Sequence, residues 1–314
     1  MSQILITGGA GNVGSALANK LVRDSNNFVV IVDNLLTGSM EKLPPPGKIN
    51  WKFIKADVNH FPEVSTIMIH YNFDYVFHYA AVVGVQRTLA NPIRVLEDIE
   101  GIKNILNLSK NTGVKRVFYS SSSEVYGEPF EIPQNEDTTP LNSRLPYAIV
   151  KNVGEAFLKS YEREYGLAYT IFRFFNTYGP RQSEDFVVSK FIRLALQDKP
   201  LPIYGDGSQS RTFCYVDDNT YVTSKCMEDD KFVNETVNIG SDDEISVLQL
   251  AQKIIKTLNS KSTVVHFPAL PEGDMARRKP DISRMKQLLG GKKMISLEDG
   301  IIATAKHIQA FNGK

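Results

Sequence analysis

The strongest constraint on this chain is an alternation. Short apolar runs of strand length are each followed by a stretch whose apolar residues recur at helical spacing, beginning with residues 3–7 and then positions 13, 16, 17 and 21. Strands are expected near 28–32, 51–55, 75–78, 116–120 and 169–173, and helices near 92–110 and 147–165. Strands that alternate with helices build an α/β fold around a doubly wound parallel sheet, covered on both faces. The Pro-rich stretch 43–47 suits neither a helix nor a central strand and reads as the loop between the second and third strands. After Tyr178-Gly179-Pro180 the rhythm breaks. A helix at 186–198, a turn at 205–208, a strand at 212–216 and helices at 247–258 and 297–308 suggest a smaller second α/β domain. The expected division is 1–178 plus about 217–241 for the first domain, and 179–216 plus 242–314 for the second.

At 314 residues the chain can bury a sizeable core, and 36 basic against 35 acidic side chains give no general drive toward nucleic acid or an anionic membrane. No apolar run approaches the ~18 residues of a spanning helix, and the first residues lack the pattern of a signal peptide, so a soluble cytoplasmic protein is expected. Cys214 and Cys226 have no partners at zinc-ligand spacing and read as reduced core thiols, with no metal site expected.

The turn after the first strand reads Thr7-Gly8-Gly9-Ala10-Gly11-Asn12-Val13-Gly14. Glycines at 8, 11 and 14 tighten such a turn and let backbone N–H groups and a helix N-terminus approach a pyrophosphate. An ordinary Gly-rich turn has the same composition, but this one lies between strand and helix, and Asp33 ends the next strand where a carboxylate can accept ribose hydroxyls. No Arg follows in Asn34-Leu35-Leu36-Thr37, which favours NAD over NADP. Asp57, with Val58 beside it, is a candidate for the adenine end or simply a strand-terminating Asp.

Tyr147 and Lys151 stand four residues apart on one helix face. A lysine charge beside a phenol lowers its pKa from ~10 toward working pH and makes tyrosinate a usable base. Tyr221 and Lys225 repeat the spacing beyond the break in rhythm, and Tyr221 is read as packing.

TGGxGxxG, a Ser run that opens into Ser123-Glu124-Val125-Tyr126-Gly127, YxxxK, and Arg173-Phe174-Phe175-Asn176-Thr177-Tyr178-Gly179-Pro180-Arg181 together resemble the extended short-chain dehydrogenase/reductase family of nucleotide-sugar enzymes over nearly the whole chain. The resemblance implies a Rossmann-type domain that holds NAD and a C-terminal domain for a nucleoside diphosphate sugar, a UDP-sugar being favoured. It further implies that Tyr147 takes the C4 hydroxyl proton, that Ser122 hydrogen-bonds the same oxygen, that Lys151 grips the nicotinamide ribose, and that His78-Tyr79-Ala80-Ala81 lines the cofactor. Ser123, Asn176, Arg211 and Arg278 are the substrate-binding candidates. A homodimer paired through the helices at 92–110 and 147–165 is implied too, with Ile149, Val153, Phe157 and Tyr161 forming an apolar stripe.

Oxidation at C4 acidifies C5, so several outcomes share one first step. Related 4,6-dehydratases carry Asp-Glu where this chain has Ser123-Glu124, which disfavours dehydration. Ser-Glu, the segment 206–216 and Arg278-Lys279-Pro280-Asp281-Ile282 resemble UDP-glucuronate decarboxylases, with Arg278 steering the C6 carboxylate. The alternative for Arg277 and Arg278 is solvated surface charge. Val82-Val83-Gly84-Val85-Gln86-Arg87 is more like an epimerase loop, and the residues just after Tyr147 lack the acids of those decarboxylases. UDP-glucuronate decarboxylation is the expected reaction, with 4-epimerase, net C4 dehydrogenase or 4,6-dehydratase as enzymatic alternatives and an NAD-binding sensor or scaffold as the non-enzymatic one.

Overall fold

The computed structural model describes residues 1–128, 130–269 and 277–312, which fall into two compact units. The first unit comprises Met1–Val125, Ser143–Phe174 and Thr220–Val237; the second comprises Tyr126–Asn142, Phe175–Asn219 and Asn238–Lys314.

In chain order the elements are β1 (Ser2–Thr7), α1 (Asn12–Leu21), β2 (Asn27–Asp33), β3 (Trp51–Lys55), α2 (Phe61–Tyr71), β4 (Tyr75–His78), α3 (Val85–Ala90), α4 (Pro92–Thr112), β5 (Arg116–Ser122), α5 (Pro146–Tyr165) and β6 (Ala168–Phe174). They continue with β7 (Thr177–Tyr178), α6 (Val187–Ala195), β8 (Leu201–Tyr204), β9 (Ser210–Thr212), β10 (Cys214–Tyr215), α7 (Val216–Glu228), β11 (Glu235–Ile239), β12 (Glu244–Ser246), α8 (Val247–Thr257), β13 (Val264–Phe267), α9 (Ser283–Leu289) and α10 (Leu297–Asn312).

The first unit is built on a seven-stranded sheet of order β11-β6-β5-β4-β1-β2-β3. Register runs in parallel from β6 across to β3. Sequence order reverses between β1 and β4, the position at which ligands bind in open α/β sheets. The strands are fully apolar at their centres because both faces are covered: Leu5, Val30, Val76, Val117 and Ile171 share one core with Val64 and Met68 of α2 and Ile102, Ile105 and Leu106 of α4. Burying each such side chain contributes about 1.5–3 kcal/mol.

Two expectations on the first unit need correction. β5 runs on to Ser122 rather than stopping at Ser120, because Ser120, Ser121 and Ser122 keep register with Phe172, Arg173 and Phe174 of β6. A serine run remains in a buried strand when its hydroxyls are satisfied, and Ser121 Oγ donates to Glu155 Oε1 at 2.6 Å. The other concerns Tyr221, read from the break in rhythm as lying beyond the first domain: it lies in the first unit, as the expected 217–241 return implies, with the Lys20 ammonium 5.1 Å from its ring centroid.

The second unit contains three two-stranded sheets, β10-β7, β12-β9 and β13-β8. The expected strand at 212–216 is split, since Thr212 pairs with Glu244 whereas Cys214 pairs with Thr177. Chain direction changes partner across Phe213, and Val216 already begins α7. Residues 126–142, expected with the first domain, pack in the second unit. Gln134 N–H donates to Lys279 O at 2.8 Å, Asp281 N–H returns a bond to Gln134 O at 2.8 Å, and Tyr126 Oη donates to Asn238 Oδ1 at 2.8 Å. Cys214 and Cys226 are buried free thiols. Among the described residues, no helix is long and apolar enough to cross a membrane.

Candidate active site

The dinucleotide candidates converge on the β1–α1 turn. Gly8 has φ +66°, and a Cβ there would lie 2.6 Å from Ala80 N, so only glycine lets the turn sit against the chain leaving β4. A Cβ on Gly14 would overlap the Gly8 carbonyl oxygen and come within 2.9 Å of Gly9 Cα. Gly11 differs, because a Cβ there would approach only Gly8 O, at 3.1 Å. Its Cβ position is therefore the least obstructed of the three. Gly11 is the N-cap of α1 and supplies no side-chain cap, and the first turn carries no acidic residue. The leading N–H groups of α1, those of Asn12, Val13 and Gly14, have no carbonyl within the helix and are available to an anion.

Asp33 is buried at the end of β2 and holds this turn in place: Oδ2 accepts the Ala10 N–H at 2.9 Å and Oδ1 accepts the Leu35 N–H at 2.8 Å. Each oxygen retains a second lone pair for a hydroxyl donor. Asn34 Nδ2 donates to Asp57 Oδ2 at 3.0 Å, and Asp57 Oδ1 caps Asn59 N–H at 2.9 Å, so Asp57 acts first as a strand-end cap; Val58 is buried beside it. A tight anion cradle, a buried carboxylate two strands from the sheet's switch point, and no Arg in the segment after it fit NAD.

The reaction candidates gather at the end of β5 and the start of α5. Ser122 is 7% exposed, and its Oγ accepts the Glu124 N–H at 3.2 Å, which orients the hydroxyl. Ser123 is 2% exposed and opens a short 3-10 turn that carries the half-buried Glu124. Tyr147 is half-buried in the first turn of α5, one turn before Lys151. The Lys151 ammonium donates to Ser120 O at 2.6 Å and lies 5.0 Å from the Tyr119 ring centroid and 5.8 Å from that of Tyr147. Burial brings Lys151 down to about 8, against an opposing pull from Asp98. His78, bonded to Thr7 Oγ1 at 2.8 Å, is held neutral by burial, reinforced by the Lys151 charge, with its pKa at about 3.

Three site features escaped sequence reasoning. Glu155, one turn beyond Lys151, forms a buried ion pair with Arg173, Nε to Oε1 at 2.9 Å and Nη2 to Oε2 at 2.7 Å. Asp98 of α4 accepts the Val82 N–H at 2.7 Å. Tyr119 presents a buried hydroxyl behind the pair. All three depend on contacts between segments that are not adjacent in sequence.

The remaining candidates belong to the second unit. Asn176 has φ +38°, and its Nδ2 donates to Thr212 O at 3.0 Å. Arg211 lies on β9 and is 8% exposed, and Arg278, 6% exposed, donates its N–H to Ser210 O at 3.3 Å. The two arginines of the 277–278 pair part company. Arg277 is exposed and grips Glu244 through Nε–Oε1 at 2.6 Å and Nη2–Oε2 at 2.8 Å, whereas Arg278 is turned inward, so the surface-charge reading holds for Arg277 alone. Among the described residues, no group of three or more His, Cys, Asp or Glu could hold a metal ion.

Residues 4–240 match the profile of the NAD dependent epimerase/dehydratase family. The chain is 34% identical over 309 residues to UDP-glucuronic acid decarboxylase 6 of Arabidopsis thaliana, covering 95% of this chain and 86% of that one. It is 36% identical over 322 residues to UDP-N-acetyl-alpha-D-glucosaminuronate decarboxylase of Bacillus cytotoxicus, covering 96% and 95%. The crystal structure of UDP-glucose 4-epimerase with UDP-glucose from Thermotoga maritima superposes with a TM-score of 0.92 at 32% identity, covering 99% of both chains.

Proposed function

The chain belongs to the NAD-dependent epimerase/dehydratase family, as an extended short-chain dehydrogenase/reductase with NAD as its cofactor, and we propose that it decarboxylates a UDP-linked uronic acid, UDP-glucuronate being the first substrate to test. The observation that carries the choice of an acidic sugar is Arg278. A guanidinium only 6% exposed, next to Ser210 and the buried Arg211 of β9, is suited to grip carboxylate or phosphate oxygens through its planar fork. The two relatives named as decarboxylases both act, by their names, on uronates.

In this reading Tyr147 Oη removes the C4 hydroxyl proton and Ser122 Oγ bonds the same oxygen. Lys151, anchored on Ser120 O, supplies the positive charge that favours tyrosinate and holds the ribose. NAD, when bound, supplies the hydride acceptor. The C4 ketone then takes up the electron pair released with carbon dioxide as an enolate, C5 takes a proton from water, and Tyr147 would give its proton back to the C4 oxygen as the hydride returns to C4; no acid is needed at Ser123, and Glu124 suffices to orient the ring. Gly8, Gly11, Asn12, Val13 and Gly14 bind the pyrophosphate, Asp33 and Asn34 the adenosine ribose, Asp57 and Val58 the adenine, and Ala80 lines the ring stack; Asn176, Arg211 and Ser123 bind the substrate.

A second reading, 4-epimerisation, is favoured by the segment after β4, where α3 begins at Val85, and by the overlap with UDP-glucose 4-epimerase. The test is product mass, with chromatographic separation of isomers, after incubation with UDP-glucuronate, UDP-N-acetylglucosaminuronate and UDP-glucose. Loss of carbon dioxide from a uronate, absent in Tyr147→Phe and reduced far more than NAD binding in Arg278→Ala, is the expected result; isomerisation of UDP-glucose with no carbon dioxide from either acid would replace the proposal by the second reading.

The assembly we infer is a homodimer in the cytoplasm. Ile93 (75% exposed) and Leu96 (42%) of α4 and Ile149 (39%) of α5 leave apolar surface uncovered on the two helices expected to pair.

A further inference from the structure

α4 packs its apolar face into the core through Val95, Ile102 and Ile105, and of the three carboxyl groups in this stretch Glu97 and Glu100 are exposed whereas Asp98 is half-buried. Three surroundings converge on that group. Asp98 Oδ2 accepts the N–H of buried Val82 at 2.7 Å, in the segment that leaves β4 just after Ala80 has met Gly8. Asn59 hydrogen-bonds the same carboxyl from the loop after β3. Gly101, one turn along α4, makes room for this approach, since a Cβ there would stand 2.5 Å from Asn59 Oδ1. Lys151 faces Asp98 from α5, which packs along α4.

We propose that Asp98 is a positioning residue for the reaction: it latches the cofactor-lining segment 80–84 to α4 through the Val82 N–H, and from α4 it sets its carboxylate charge toward Lys151 of α5. The inference rests on Lys151 being the catalytic lysine, not on the identity of the sugar.

The charges around the two groups agree with this role. Burial raises the Asp98 pKa, the Val82 N–H, Lys151 and Asn59 draw it back down, and Asp57 adds a small opposing push. Around Lys151, His78 is neutral, Ser120 O is an uncharged acceptor, the Tyr119 and Tyr147 ring centroids lie at 5.0 and 5.8 Å, and Glu155, one turn on, is held by Arg173 and Ser121, so Asp98 supplies the anionic counterweight to burial.

Asp98→Asn separates the two roles, because an amide oxygen still accepts the Val82 N–H while the charge is gone. In the full-length protein, Lys151 is titrated by NMR of 13Cε-labelled lysine, assigned with Lys151→Arg, and kcat is followed against pH with whichever UDP-sugar is turned over. The Asn variant should lower the Lys151 midpoint by about one pH unit and shift the alkaline limb of kcat with it, while NAD affinity stays within about twofold of wild type. Asp98→Ala should lower the midpoint similarly and weaken NAD about tenfold, the cost of one buried hydrogen bond. A Lys151 midpoint unchanged in Asp98→Asn overturns the charge role, and equal NAD affinity in the Asn and Ala variants overturns the latch. If the midpoint moves but no uronate is decarboxylated, the positioning role stands and the substrate proposal fails.

Discussion

Removing the charge of Glu155 should destabilise the first unit more than any comparable surface change. Glu155 and Arg173 are 1% and 2% exposed, joined by bonds of 2.9 and 2.7 Å, and Glu155 also receives Ser121 Oγ at 2.6 Å. Glu155→Gln keeps the shape and most of the volume but leaves the Arg173 guanidinium buried without its counter-charge. Breaking such a pair from one side costs about 3–5 kcal/mol. That is a large part of the 5–15 kcal/mol by which a typical domain is stable. The sole tryptophan, Trp51 of β3, lies in the first unit, so its fluorescence follows that unit even if the two units unfold separately. With a urea m-value of about 3 kcal/mol/M, the midpoint should fall by roughly 1–2 M. Replacing both partners, in Glu155→Leu with Arg173→Met, should recover most of the loss, because the penalty lies in the unpaired charge rather than in the absence of the bridge. A single-variant shift below about 0.2 M, or a double variant no better than the single, would refute the argument.

The contrast between two glycines is equally checkable. Gly14→Ala forces a Cβ into the Gly8 carbonyl and should lose about 1–3 kcal/mol, whereas Gly11→Ala, whose Cβ meets only Gly8 O at 3.1 Å, should cost the fold less and still fail to retain NAD on purification. In wild type the nucleotide extracted after denaturation should be NAD rather than NADP, since Asp33 opposes a ribose phosphate; recovery of NADP would contradict that reading. His78 binds its proton at about 3 when folded but at 6.5 when unfolded, so the unfolded chain takes up the extra proton and stability falls as pH drops below 6.5, by about 2 kcal/mol at pH 5. His78→Gln should lack this slope in urea titrations at pH 7 and pH 5. Light scattering should give a dimer for wild type and a monomer for Ile149→Lys; a wild-type monomer at micromolar concentration would remove the assembly proposal.

The sheet, the Gly-rich turn and the Tyr-Lys pair were legible because each is written in local spacing: a period of two or 3.6, glycines three apart, an i,i+4 step. Features that depend on which distant segments meet were not. The Ser run looked like the end of a strand because serine is a poor strand former on its own, and only Glu155, Lys151 and the register with β6 make three serines stable in β5. Residues 126–142 lack periodicity and could be assigned only once Gln134 was seen between Lys279 and Asp281. Arg278 could not be told from Arg277 because adjacent residues of an extended chain point opposite ways, and which one is buried depends on where Ser210 lies.

The two Tyr-x-x-x-Lys repeats show why spacing alone cannot name a catalytic pair. In both, the lysine follows its tyrosine by one helical turn, so the local geometry is the same. Lys225 lies on a partly exposed face, where Asp229 at 2.8 Å and Glu228 at 3.7 Å hold its ammonium and raise its pKa, the Asp229 bond foremost. Its charge is spent on neighbouring carboxylates of its own helix. Lys151 also has an acid at i+4, but that residue, Glu155, is held by Arg173 and Ser121; Lys151 itself is 3% exposed and fixed to a backbone carbonyl, with burial bringing it down to about 8. A cation in that setting is weakly compensated and acts strongly on the nearest phenol, because desolvation magnifies the field it exerts. In the proposed mechanism the competence of the pair is thus set by what β5 and α4 place around the lysine. Tyr147→Phe should therefore abolish turnover of the UDP-sugar while NAD still binds, and Tyr221→Phe should leave activity near wild type. The reverse outcome would show that the surroundings of the lysine do not select the pair.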